Sequence, residues 1–388
     1  MQEVTVQSWG SRLKDSLVGI LFGFILIGIA IYLIFWNENH SLIMARSLSE
    51  ACKVLISVPP SPIDSKNNLR VIYVSGLATT NNKLQDPLLN ADLVAIALIR
   101  KVEMYQWQQE EKTRTEKQLG GSERTIKSYI YNKVWSENLI NSSQFKENNY
   151  QNPVSMPVHS GRQVASSVTL GDFTLPPALV DKITATTPVD LSQVDLDKLT
   201  KQFNKPVRLI NNELYLGQDI QNPQIGDLRI SLSAVLPQAV SIIAQQVGTT
   251  LQAYHAKAGE DVLLLSPGQV SHAGMIREAQ DENRMTMWSI RLVTLVMVIM
   301  GFALLMRPLA VLADVIPFVG TIIGFGTGLI AVVLGICLWA IFLAIAWFTT
   351  RPFFAMGLLI IVVLVIYLLW KSRADKMDNN DKTISNVK

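Results

Sequence analysis

Cysteine is scarce in this 388-residue chain. There are two, which excludes a disulfide scaffold. Cys52 lies in a polar block and Cys337 inside an apolar run, so both read as small buried hydrophobes. Histidine is scarce as well: His40, His159, His255 and His272 have no Cys, Asp or Glu neighbour at zinc-site spacing, and no HExxH pattern occurs. A Gly-x-Ser-x-Gly elbow, a P-loop and a dinucleotide fingerprint are all missing. No catalytic residue, metal or cofactor is therefore expected, and the reading is non-enzymatic. Excess charge of one sign is lacking too. With 34 basic and 31 acidic side chains the net charge is +3, so a nucleic-acid partner has no compositional support.

The charges that are present are unevenly spread. Of the 65, 50 fall between Asn37 and Arg291, and they are balanced in sign. Apolar stretches flank this block, and the mean hydropathy is +0.27. A fully soluble chain is excluded. Leu17–Trp36 is uncharged and, at 1.5 Å per residue, about 30 Å long, the thickness of a hydrocarbon core. It lacks a small-x-small cleavage site and ends in Trp36-Asn37-Glu38, which reads as a retained anchor. After Arg291, Leu292–Met306 is apolar and is stopped by Arg307-Pro308; Leu329–Phe348 and Phe353–Trp370 are clean spans.

The expected organisation is a cytosolic tail at 1–16, an anchor at 17–36, a luminal or periplasmic domain at 37–291, three further spans (about 292–312, 320–348 and 353–370) and a cytosolic tail at 371–388. Basic residues in both tails place the termini inside. The fold class is a multi-pass α-helical membrane protein of about four spans with a large, strand-rich α+β extramembrane domain.

Two features of the membrane region stand out. Gly320, Gly324 and Gly328 fall on one helical face, which reads either as a contact between spans or protomers or as a loop entering the membrane. Asp314 is the lone charge between Pro308 and Thr350. At mid-bilayer it would cost about 2.5–3.5 kcal/mol. An interfacial motif of Arg307, Pro308, Asp314 and Pro317 is milder, with Asp314 pairing with Arg307 or capping a helix near Ile316.

In the large block, Leu228–Ala234 alternates strictly and predicts a half-buried strand. Leu69–Val74, Leu93–Ile99, Glu103–Trp107, Tyr129–Trp135, Ala239–Val247, Thr250–His255 and Val262–Leu265 also read as strands, and Glu110-Glu111-Lys112 as a solvated turn. Helices are expected at Pro176–Ile183, at Leu191–Phe203 with Asp190 or Ser192 as cap, and from about Ser271 into the membrane.

A set of short motifs resembles the LUMA family, the transmembrane protein 43 family. They are Ser8-Trp9-Gly10-Ser11-Arg12, Trp36-Asn37-Glu38, Val102-Glu103-Met104-Tyr105-Gln106-Trp107, Tyr131 to Trp135 followed by Asn152-Pro153, and Ile225-Gly226-Asp227-Leu228-Arg229. The most specific stretch is Arg307-Pro308-Leu309, then Leu312-Ala313-Asp314-Val315-Ile316-Pro317-Phe318-Val319-Gly320, Ala346-Trp347 and Arg351-Pro352. The resemblance runs nearly end to end. It implies four spans, a large luminal or periplasmic domain, cytosolic tails and self-association. For eukaryotic members it implies the endoplasmic reticulum and inner nuclear membrane. The short N-terminal tail favours a bacterial inner membrane, with a bacterial member of the family as the expectation.

The functional expectation is an organiser or scaffold that forms a homo-oligomer in the lipid bilayer and gathers lipids or other membrane proteins, with Gly320, Gly324 and Gly328 as packing residues. A channel or transporter component is the first alternative, although the clean spans offer few polar residues. An envelope enzyme acting on lipid is the second.

Overall fold

The computed structural model describes residues 2–348, 351–364, 367, 368 and 371. The described chain divides into two compact units: an α/β unit of residues up to Glu3, Arg46–Thr113 and Lys127–Gln280, and a helical unit of Val4–Ala45, Arg114–Ile126 and the described residues from Asp281 on.

Besides two short two-stranded sheets, the α/β unit is built on two large ones. In one, Val71–Thr79, Gln238–Val247, Thr250–Gln252, Phe173–Thr174 and Thr169–Leu170 pair in a ring that closes on Val71–Thr79. Closure removes the edges of the ring itself, while Leu264–Pro267 pairs with Gln238–Val247 and Ile56–Ser57 with Val71–Thr79 as the outer strands of this sheet. Ile72, Val74, Leu170, Phe173, Val240 and Ile242 belong to the core that goes with it. Gly76 sits where a Cβ would come within 3.3 Å of the Pro60 side chain.

The other sheet has the strand order Gln2–Gln7, Glu123–Ser136, Ala97–Lys117, Leu228–Val235, Glu213–Leu216 and Val207–Ile210. The alternation expected at Leu228–Ala234 appears as a strand whose Leu228, Ile230 and Leu232 are buried with Val102, Met104, Leu214 and Leu216. Arg229 and Ser231 point the other way and are half-buried.

Local readings needed correction where polar residues carried them. Glu110-Glu111-Lys112 is not a turn: the strand runs on to Lys117, and the chain reverses at Gln118–Ser122, where Gly120 and Gly121 take φ of +83° and +78°. Leu69 adopts φ +64°, so its strand begins only at Val71.

The helices of this unit are shorter than their patterns. Numbering helices in chain order, with α1 the N-terminal Trp9–Val54, α2 is Pro177–Val180 and α3 is Leu196–Phe203. Asp195 caps α3 by accepting from the Lys198 N–H at 2.9 Å, while Asp190 accepts from Ser192 N–H in a separate turn.

In the helical unit, α1 is joined by α4 (His272–Ala313, described with this unit from Asp281) and α5 (Pro317–Trp347). These three helices are long and apolar enough to cross a membrane. The expected boundaries at 36/37 and 291/292 fall inside α1 and α4. Arg307-Pro308 does not stop α4, which continues to Ala313. The proline removes one backbone hydrogen bond, and in an apolar medium the remaining backbone groups are satisfied only by staying helical. Residues 317–347 are one continuous helix, so the glycine run is not a loop.

Pro352–Leu364 is a shorter apolar helix. Parts of the expected last span (365, 366, 369 and 370) and the basic tail from 372 to 388 lie outside the described residues. Cys52, expected to be buried, is exposed, and Cys337 is half-buried; neither is in a disulfide.

Candidate functional site

The helical unit holds two charged clamps. The first is centred on Asp314, in the turn between α4 and α5. Its side chain is 1% exposed. Arg12 Nη2 lies 2.6 Å from Asp314 Oδ2, and Lys117 Nζ lies 2.7 Å from Oδ1. Arg12 also contacts Glu123 Oε2 at 2.9 Å and donates to the Gly121 carbonyl at 2.6 Å. Two basic and two acidic groups thus balance. Around them the Trp9 indole N–H donates to Val311 O at 2.9 Å, and the Gly120 N–H donates to Val315 O at 3.1 Å. Gly121 must be a glycine twice over: its φ is positive, and any Cβ would overlap the Trp9 ring.

The second clamp joins Glu38 of α1 to Arg291 of α4. Nε and Nη2 of the guanidinium lie 2.6 and 2.8 Å from the two carboxylate oxygens, a bidentate pair. The Trp347 indole of α5 donates to the same carboxylate at 2.8 Å. Arg291 is sandwiched at 4.6 Å from the centre of the Trp288 ring and 5.0 Å from that of Trp347. Nearby, Asn37 donates to Met287 O at 3.2 Å and Asn283 to Ser41 O at 2.9 Å.

The two clamps bracket the apolar segments of all three helices. At 1.5 Å per residue, Arg12 to Glu38 is about 39 Å, Arg291 to Asp314 about 35 Å and Gly320 to Trp347 about 40 Å. A hydrocarbon core of about 30 Å fits between them with the ionised groups at its two margins. Within that layer, helices approach closely at glycines. A Cβ on Gly301 would lie 2.5 Å from Ile27 Cγ1 and 3.0 Å from Gly23 O, and one on Gly335 would lie 2.7 Å from Ile299 Cγ1.

The residues singled out from sequence distribute unevenly over this site. Asp314 is central, but it pairs with Arg12 and Lys117 and not with Arg307, which is exposed. Nor does it cap α5, whose N-cap is Ile316 with no side-chain cap bond. Pro308 is buried within α4, and Pro317 begins α5. Gly320 packs against Asp314 so tightly that a Cβ there would overlap the carboxylate. A Cβ on Gly324 would meet the Ala310 Cβ at an ordinary 3.9 Å, and one on Gly328 would have open space around it. Arg12, Lys117, Glu123, Gly23 and Gly301 were missed. The only signal available for Arg12 and Lys117 was that Asp314 needs a cation.

The α/β unit carries its own buried pin. The Tyr215 hydroxyl donates to Asp227 Oδ2 at 2.7 Å, and Gln224 N–H donates to the same oxygen at 2.8 Å. Burial first, and then the bond to Asp227, push the Tyr215 phenol well above its usual range. An open cleft of about 530 Å³ in this unit is lined in part by Asn90, Asp92, Thr187, Asp190 and Gln193. Its acids are engaged, Asp92 with Lys83 and Asp190 with Ser192. Among the described residues, no group of three or more His, Cys, Asp or Glu side chains could hold a metal ion.

No solved structure matches this chain. A family described as Transmembrane protein 43 matches residues 104–352. The mouse protein "Transmembrane protein 43" is 31% identical over 371 residues, covering 92% of this chain and 90% of the mouse protein. The human protein of that name is 30% identical over 91% and 90%. A Drosophila melanogaster protein, "Transmembrane protein 43 homolog", is 28% identical over 69% and 71%. With the match running from the α/β unit through all of α5, this chain is an integral membrane protein and belongs to the Transmembrane protein 43 family.

Proposed function

We propose that this protein is a non-enzymatic organiser of the membrane, which self-associates and gathers lipids or other membrane proteins around its helical unit. The observation that carries this reading is how the buried charge is used. In the helical unit the buried charged side chains among the described residues are Arg12, Arg291 and Asp314, and each is held in an ion pair that ties α1 to α4 or to the α4–α5 turn. Such groups fix a shape; they are not free to bind or relay an ion. By contrast, Phe318, Ile322, Phe325 and Leu329 of α5 are exposed, on the helix where Gly324 and Gly328 leave room for a close partner. Lipid and a second copy are the occupants this face suits. The N-terminal tail is assigned to the cytosolic side, following its basic residues Arg12 and Lys14.

The test is the mass of the full chain in nanodiscs, by analytical ultracentrifugation. A multiple of the 43.1 kDa protomer is expected. A single protomer at every concentration would overturn self-association. Selective cation flux in vesicles of the purified chain would favour the channel reading in its place.

A further inference from the structure

The clamps impose a condition on chain topology that the sequence does not suggest. The chain leaves the helical unit at Ala45, beyond the Glu38 clamp, and re-enters for good at Asp281, where Asn283 bonds to Ser41 on that same side. Between these points it returns once, as Arg114–Ile126, to the opposite end. There Lys117 reaches Asp314, Glu123 and Gly121 reach Arg12, and Gly120 N–H bonds to Val315 O. Two of these contacts hold the hairpin tip to the start of α1, and two hold it to the α4–α5 turn. Within the α/β unit a separate observation agrees. Glu3, nine residues before Arg12, accepts from the Tyr129 hydroxyl at 2.8 Å and lies 3.3 Å from Lys146 Nζ. The Gln2–Gln7 strand is thereby a neighbour of Glu123–Ser136 in the sheet.

We propose that the Arg114–Ile126 hairpin tip lies on the same side of the bilayer as the N-terminal tail, opposite Ala45 and Asp281. The proposal rests on reading α1 and α4 as membrane spans. The tip binds the Arg12 face of α1 and the α4–α5 turn, and leaves Leu119 outward, 85% exposed.

The test is site-directed labelling of the full chain, with Cys52→Ser and Cys337→Ser removing the native thiols. Single cysteines are introduced as Leu119→Cys at the tip, Gly10→Cys at the start of α1 and Glu282→Cys beyond the Glu38 clamp. All three positions are exposed. A membrane-impermeant maleimide is applied to sealed vesicles of each orientation. The proposal expects Leu119→Cys to label whenever Gly10→Cys labels, and to be protected whenever Glu282→Cys labels. Leu119→Cys labelling with Glu282→Cys and against Gly10→Cys would overturn it. Gly10→Cys and Glu282→Cys labelling together would show that α1 and α4 do not separate two sides, and would sink the span reading on which it rests.

Discussion

Arg12 and Asp314 are 302 positions apart in the chain, yet the guanidinium Nη2 and the carboxylate Oδ2 lie 2.6 Å apart, with both side chains buried. A carboxylate in this place without its cations would be strongly unfavourable in the low dielectric near a bilayer margin. Lys117 and Glu123 complete the balance, so one interaction joins the start of α1, the hairpin tip and the α4–α5 turn.

Removing one member should therefore cost much more than an ordinary surface change. Asp314→Ala is expected to lower stability by about 3–5 kcal/mol, the loss typical of a buried pair broken on one side. Arg307→Ala, at an exposed position of α4, should stay within about 0.5 kcal/mol. Thermal unfolding of the full chain in nanodiscs measures both. In a double-mutant cycle, Arg12→Ala should add little once Asp314→Ala is present; independent, additive losses would mean that the pair is not coupled.

Helix packing inside the layer should depend on Gly301 more than on most other glycines. Gly301→Leu drives a side chain into Ile27 and the Gly23 carbonyl, and overpacking of this kind costs about 1–3 kcal/mol or more. Gly326→Ala has open space around it and should be neutral or slightly stabilising in a helix. Equal melting temperatures for the two variants would contradict the close approach of α1 and α4.

For assembly, Gly324→Leu is the informative change. Within the protomer a Cβ there would meet only the Ala310 Cβ, at 3.9 Å, so the melting temperature of the protomer should hold. Sedimentation should nonetheless show a weaker oligomer if a second copy packs on this face. An unchanged oligomer would move the contact elsewhere.

At alkaline pH the α/β unit should lose stability through Tyr215. Its pKa is raised in the folded state, so the contribution is fully present below the unfolded value of about 10 and is lost as pH rises through the higher folded value. Tyrosinate absorbance should show the Tyr215 phenol titrating latest or only on unfolding, after Tyr129 and Tyr254, whose pKa values are raised as well, and Tyr215→Phe should remove that last step. Titration of every tyrosine near pH 10 would rule out the buried bond to Asp227.

How much of this was legible in advance depends on the range of the interaction. Leu17–Trp36 and Leu329–Phe348 are readable because transfer into lipid is summed residue by residue along one helix. Leu228–Val235 is readable because its two faces meet different environments, which writes a period of two into the sequence. The family itself was legible from motifs in order. Where neither hydropathy nor alternation speaks, the reading failed. Polar residues from Glu110 to Lys117 hid a strand, since a hairpin exposed on both faces leaves no alternation. Pro308 suggested a stop that the apolar surroundings overrule.

By itself, then, the sequence determined the apolar helices, the half-buried strands and the fact that Asp314 requires compensation. Tertiary structure decided who compensates it, where the hairpin tip rests and which glycines lie at helix crossings. The physical reason is that burial tendency is a property of each residue, whereas pairing is a property of positions brought together by the whole chain. Arg12 and Arg307 are equally good cations for Asp314. Only the packing of α1 beside the α4–α5 turn puts Arg12 within 2.6 Å and leaves Arg307 in the open.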